Sequence, residues 1–170
     1  MSFTTRRALL RGAGGAVMIG LAGCGGGDSG GTDTLPGDDY PDIDEWLTES
    51  DIGGSAGNYD GELLDAREQD TVTVDVGAEG NGGNFAFEPP GVVVSTGTEV
   101  RWSWTGEGNP HNVEALPEEQ LDKSDYEFSS GEAEGGSGVK FTYTMDEAGI
   151  ALYHCEPHFA DGMKGGVAVE

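Results

Sequence analysis

The sequence predicts an all-β fold, an antiparallel Greek-key β-sandwich over residues 61–170. Two observations carry this. Apolar residues recur at every second position in four separate runs, and clusters of glycine, proline and asparagine stand between the runs. Strict alternation sends one face of each run into a core and the other to water. Several short strands divided by turns, with no sustained helical period, pack as two facing sheets. Roughly a hundred residues is a natural size for one such domain.

The runs follow in order. Val72, Val74 and Val76 alternate with Thr71, Thr73 and Asp75. Val100, Trp102 and Trp104 alternate with Glu99, Arg101 and Ser103, which places both indoles in the core. Val139, Phe141, Tyr143 and Met145 alternate with Lys140, Thr142 and Thr144 and are expected to face inward. In the last run, Ala151, Tyr153 and Cys155 share one face, and Leu152 and His154 take the other. Gly80-Asn81-Gly82-Gly83, Pro89-Pro90-Gly91 and Gly106-Glu107-Gly108-Asn109 supply turn chemistry. The acidic, glycine-rich stretch 129–138 reads as an exposed loop.

The chain ahead of this domain reads differently. Residues 1–23 form an export signal: Arg6 and Arg7 are a twin-arginine start, and the glycine- and alanine-rich run to Leu21 is too short to remain a membrane span. The run ends in Leu21-Ala22-Gly23-Cys24, a lipobox-like sequence, so Cys24 is the expected lipidation site. One lipidated residue would tether the protein to the outer face of the cell membrane without spanning it. Residues 24–60 are expected to be an acidic, glycine-rich linker, carrying a short helix over 42–47 capped by Asp42. The loop 53–61 would separate that helix from the folded domain.

The charge balance excludes one class of partner. Against 32 Asp and Glu stand 8 Lys and Arg, a formal net charge of −24. Phosphate would be repelled, so nucleic acid is not a partner. A solvated acidic surface suits work in high salt, where screening weakens self-repulsion. The carboxylates show no EF-hand spacing.

The chemistry concentrates near the C-terminus. Cys155, His158 and Met163 stand in the pattern Cys-x₂-His-x₄-Met, and His111 lies upstream in Asn109-Pro110-His111-Asn112. Two imidazoles, one thiolate and one weak thioether form the donor set of a blue-copper electron-transfer site. Soft sulfur suits Cu(I) and imidazole holds Cu(II), so one ion can change charge with little rearrangement. Cys155 ends a strand, and His158 and Met163 come from the loop after it. Gly162 lets that loop turn. Pro157 stiffens it and removes one backbone N–H near the thiolate, which favours Cu(I). His154 points away from Cys155 and reads as a surface or second-layer histidine. Met145 reads as core and Met18 lies in the signal. Cys24 and Cys155 each belong to a local pattern, which argues against a disulfide between them.

Pro110-His111-Asn112-Val113, Cys155-Glu156-Pro157-His158 and Gly162-Met163 together resemble the plastocyanin-type cupredoxins. Val74-Asp75-Val76-Gly77, Phe85-Ala86-Phe87 and Trp102-Ser103-Trp104-Thr105-Gly106 are similar to halocyanins, the membrane-attached blue copper proteins of halophilic archaea. The resemblance spans roughly residues 60–170. It implies one copper ion on His111, Cys155, His158 and Met163, with Asn112 bracing the two ligand loops. It also implies electron exit at the edge of His158, within an apolar rim of Pro110, Pro157 and Phe159. The expected function is single-electron transfer, by Cu(I)/Cu(II) cycling, between redox proteins of a membrane electron-transport chain, with no small-molecule substrate. An enzyme of the nitrite-reductase kind would need a second, His-rich copper, and the chain has three histidines. Copper delivery or storage is the alternative, but no exposed Met/His-rich tract favours it. A cysteine hydrolase on Cys155 and His158 would leave its base unoriented.

Overall fold

A computed structural model describes residues 33–115 and 123–170. The signal segment 1–23, Cys24 and the first part of the expected linker lie outside the described residues. The strands are β1 (Thr34–Pro36), β2 (Glu62–Asp65), β3 (Thr71–Gly80), β4 (Gly83–Glu88), β5 (Gly91–Val94), β6 (Glu99–Thr105), β7 (Glu114–Ala115), β8 (Phe128–Ser129), β9 (Ser137–Thr144), β10 (Gly149–His154) and β11 (Lys164–Val169). Among the described residues one α-helix, α1 (Pro41–Thr48), follows a short 3₁₀ turn (Gly37–Asp39) between β1 and β2. Among the described residues the strands form two sheets, β1-β2-β5-β11-β10-β7-β8 and β4-β3-β6-β9.

The all-β sandwich stands, and its pairing is mixed instead of purely antiparallel. β3 runs parallel to β6, and β5 runs parallel to both β2 and β11. Alternation specifies which face a residue takes but not which way a strand runs. The chain leaves one sheet after β4, adds β5 to the other, and returns for β6. Strands that meet across such a crossover are free to be parallel.

The main core lies between the sheets. Val72, Val74, Val76, Val100, Trp102 and Trp104 from one sheet meet Val92, Val94, Ala151, Tyr153, Cys155, Val167 and Val169 from the other. Removing such side chains from water is the main stabilising term. Val139 departs from its expected inward position and is 52% exposed. The register of β6 and β9 slips between Trp102, paired with Phe141, and Ser103, paired with Val139. One extra residue in a strand reverses the parity beyond it, which turns Val139 outward.

A second core lies on the outer face of the larger sheet. Ile43, Trp46 and Leu47 of α1 bury against Leu63, Val93, Leu152 and Ala168. Spacing at i, i+3 and i+4 places the three helix residues on one side. Residues 34–60 are therefore folded, which corrects the expected linker. β1 pairs with β2, and the Ala56 N–H donates to the Leu47 carbonyl at 2.7 Å. The expected cap also shifts. Pro41 opens the helix after Tyr40, no side chain caps it, and Asp42 sits in the first turn, where its charge suits the helix dipole. His154 lies beneath this layer, 2% exposed, with its ring 4.4 Å from Phe159 and 6.4 Å from Trp46. It is a second-layer residue and not a surface one.

Candidate metal centre

β10 delivers Cys155, and a tight return follows. Residues Glu156–Asp161 make 3₁₀ turns kinked at His158, and Gly162 ends them at φ +93°. The Cys155 N–H donates to the Met163 carbonyl at 3.0 Å, and the Met163 N–H donates to the His158 carbonyl at 3.2 Å. The three donor-bearing residues are thus fixed by main-chain bonds within one bend.

His111 arrives from the other side and is held separately. Its N–H donates to the Glu134 carbonyl at 3.0 Å, and its carbonyl accepts the Glu134 N–H at 2.9 Å. The Trp104 indole N–H donates to the Glu134 carbonyl at 3.0 Å and the His111 carbonyl at 3.3 Å. The expected exposed loop 129–138 is therefore anchored to the site at Glu134. Nε2 of His111 lies 3.2 Å from the Glu107 carbonyl oxygen, which turns Nδ1 inward.

The arrangement brings three donors together. Sγ of Cys155 is 3.7 Å from Nδ1 of His111 and 3.4 Å from Nδ1 of His158. The ligand atoms lie within 4.8 Å of one another, and all three residues are buried. Met163 is fully buried in the same core group as Cys155. Asn112 ties the two halves: its amide carbonyl accepts the Glu156 N–H at 2.9 Å, and its NH₂ donates to the Glu156 carboxylate at 2.6 Å and the Gly131 carbonyl at 3.2 Å.

The rim differs from the expected one. Pro110 and Pro157 are exposed. Phe159 turns under Trp46, stacked at 5.8 Å, and does not flank the site opening. Phe85 lies flat on His158 instead, centroid to centroid 4.5 Å and 20° off parallel, and meets His111 edge-on at 6.5 Å. Sequence reasoning missed Phe85 as a site residue, because no local spacing links β4 to the Cys155 bend.

Burial governs the electrostatics. It pushes the Cys155 thiol up to about 11, against the opposing pull of the Asn112 and His158 amides. Burial also lowers His111 and His158, and it brings His154 down to about 4. At neutral pH the metal-free site therefore presents a neutral thiol and two neutral imidazoles. A bound cation must displace the thiol proton, so affinity rises with pH.

Two outcomes follow from these contacts. Asn112→Ala strips the Glu156 N–H of its acceptor and is expected to cost about 1–3 kcal/mol, read as a lower urea midpoint at unchanged slope. The second concerns acid. A histidine whose folded pKa is depressed stays neutral in the native state but charges in the unfolded chain. Its contribution is intact above pH 6.5 and is lost as pH falls toward about 4, where His154 itself charges. The metal-free protein should weaken between pH 6.5 and 5, and His154→Gln should flatten that slope in pH-dependent melting curves.

Residues 72–170 match the family of copper-binding proteins described as plastocyanin/azurin. Halocyanin of Natronomonas pharaonis is 46% identical over 127 residues, 75% of this chain and 71% of that protein. Plastocyanin of Scenedesmus fuscus is 35% identical over 107 residues, 58% of this chain and 99% of that protein. A Cu(I) structure of an amicyanin mutant aligns with 59% of this chain and 82% of its own at a TM-score of 0.44 and 27% identity. Copper is the cofactor that the family match and the halocyanin relative imply, and two imidazoles and a thiol, close together and buried, fit it.

Proposed function

Because the chain belongs to the plastocyanin/azurin family of copper-binding proteins, we propose that it carries single electrons and transforms no substrate. His111, Cys155 and His158 hold the copper, with Met163 as a weak fourth donor. The convergence of the two Nδ1 atoms on one buried sulfur is the observation that carries this reading. Bound copper supplies a one-electron Cu(I)/Cu(II) couple.

The protein supplies the rest. The Glu107 carbonyl fixes the ring of His111, and Asn112 locks its loop to the Cys155 bend. The surrounding core excludes water. His158 is 5% exposed beneath Phe85, so the electron crosses to a partner through this thin aromatic edge. Burial of the donors disfavours rapid exchange of metal, which speaks against a delivery role. Two of the three histidines are committed here and the third is buried against Trp46 of α1, so one chain lacks the donors for a second, His-rich catalytic copper.

We place the protein outside the cell membrane, exported through the twin-arginine signal, tethered by lipid on Cys24, and exchanging electrons with membrane-bound redox proteins in a saline setting. Among the described residues no helix is long and apolar enough to cross a membrane. Addition of Cu(II) to the metal-free protein should give one intense band in the orange-red region at one ion per chain, bleached reversibly by reductant. A colourless adduct would overturn the electron-carrier reading. Cys24→Ser should release the protein into the medium; retention would remove the lipid anchor from the proposal.

A further inference from the structure

Residues 34–61 precede the part of the chain that matches the copper-binding family, 72–170. They nevertheless grip the donor-bearing bend 155–163 and its continuation into β11. The Trp46 indole N–H is shared between the carbonyls of Tyr153, at 3.3 Å, and Gly165, at 3.2 Å, one on each side of the bend. The same ring stacks on Phe159. Lys164, next to Met163, reaches back so that its ammonium donates to the Glu49 carbonyl at 2.8 Å and the Trp46 carbonyl at 3.3 Å. The ammonium also stands 4.5 Å over the Trp46 ring, so a cation meets both the helix C-terminus and an aromatic face.

A second grip is made by main chain. The Gly54 N–H donates to the Phe159 carbonyl at 2.9 Å. A Cβ on Gly54 would fall 2.6 Å from the Gly162 nitrogen, and one on Gly162 would overlap the Ser55 carbonyl oxygen. The loop before β2 therefore lies backbone on backbone against the turn that sets Met163.

We propose that α1 and the loop after it, residues 41–56, act as an external clamp on the 156–163 bend, with Trp46 and Gly54 as its positioning residues. The clamp holds the donors in their binding arrangement before metal arrives, and it thereby sets how fast metal leaves and at what potential the loaded site works. A bend held from outside cannot relax toward the geometry either charge state prefers alone. The inference rests on the copper reading above.

The test compares Trp46→Leu and Gly54→Ala with Leu35→Ala, all in the full chain. Leu35 packs into the same outer core from β1. In the metal-free protein, hydrogen exchange at the Gly162 and Met163 amides should accelerate about tenfold or more in the first two variants, with β3 and β6 unchanged. In the loaded protein, copper transfer to a Cu(I) chelator should quicken by a similar factor, and the midpoint potential should move further than in Leu35→Ala. Trp46→Phe, which keeps an aromatic ring but loses the indole N–H, should fall between. The clamp is overturned if the bend stays as protected as in the unaltered protein. It is equally overturned if the bend loosens only together with β3 and β6, or to the same degree in Leu35→Ala. Exchange is read without copper, so this result stands apart from failure of the copper assignment, which the visible band alone decides.

Discussion

Cys155→Ser should abolish the blue colour of the copper-loaded protein, and His154→Ala should leave it. His154 ends β10 and Cys155 follows it directly, so the two take opposite faces. Sγ of Cys155 lies between two imidazole nitrogens. A serine hydroxyl is a hard oxygen that stays protonated at neutral pH, so it offers neither the soft donor nor the thiolate whose charge transfer gives the colour. The exchange is nearly isosteric, so the metal-free fold should persist. Removing the His154 ring instead empties space beneath Phe159 and Trp46. That change should cost about 2–4 kcal/mol by analogy with large-to-small core substitutions. Thermal melts and visible spectra of both variants separate the cases. Equal loss of colour would refute the placement of the two side chains on opposite faces.

Gly162→Ala should be the most damaging single-methyl change in the ligand bend. Gly162 holds φ +93°, a conformation that an L side chain adopts at a cost of about 1–2 kcal/mol. The added methyl also points at the Ser55 carbonyl, and forcing two backbones apart costs a further 1–3 kcal/mol or so. The metal-free protein should therefore lose about 2–5 kcal/mol in urea unfolding. In the loaded protein the band should shift or weaken, because His158 and Met163 flank the distorted turn. Unchanged stability and spectrum would mean that the loop before β2 is not seated on the bend.

Much of this was legible in the sequence because it is local. Alternation places Cys155 inward and His154 outward, and the spacing after Cys155 places three donors on one bend. The Pro-His-Asn triplet singles out His111, although only the crossover topology brings it to the sulfur. What escaped is long-range. The apolar stripe Ile43, Trp46 and Leu47 is short and sits among acidic residues, so composition alone makes it a linker; its stability comes from a sheet built later in the chain. Phe85 reaches His158 across the molecule, with no spacing to betray it. Val139 fails because a single bulge in β9 undoes a parity rule that is otherwise correct.

Complete enclosure of the Cys155 side chain has a chemical consequence for the metal-free protein. Peroxide and a second chain's thiol meet no exposed face of that sulfur, and burial keeps it as the neutral S–H, a poor nucleophile. Both features slow its passage to the sulfenic, sulfonic and mixed-disulfide forms that exposed thiols reach. The metal-free thiol should therefore react with a thiol reagent far more slowly in the folded chain than in the urea-unfolded one.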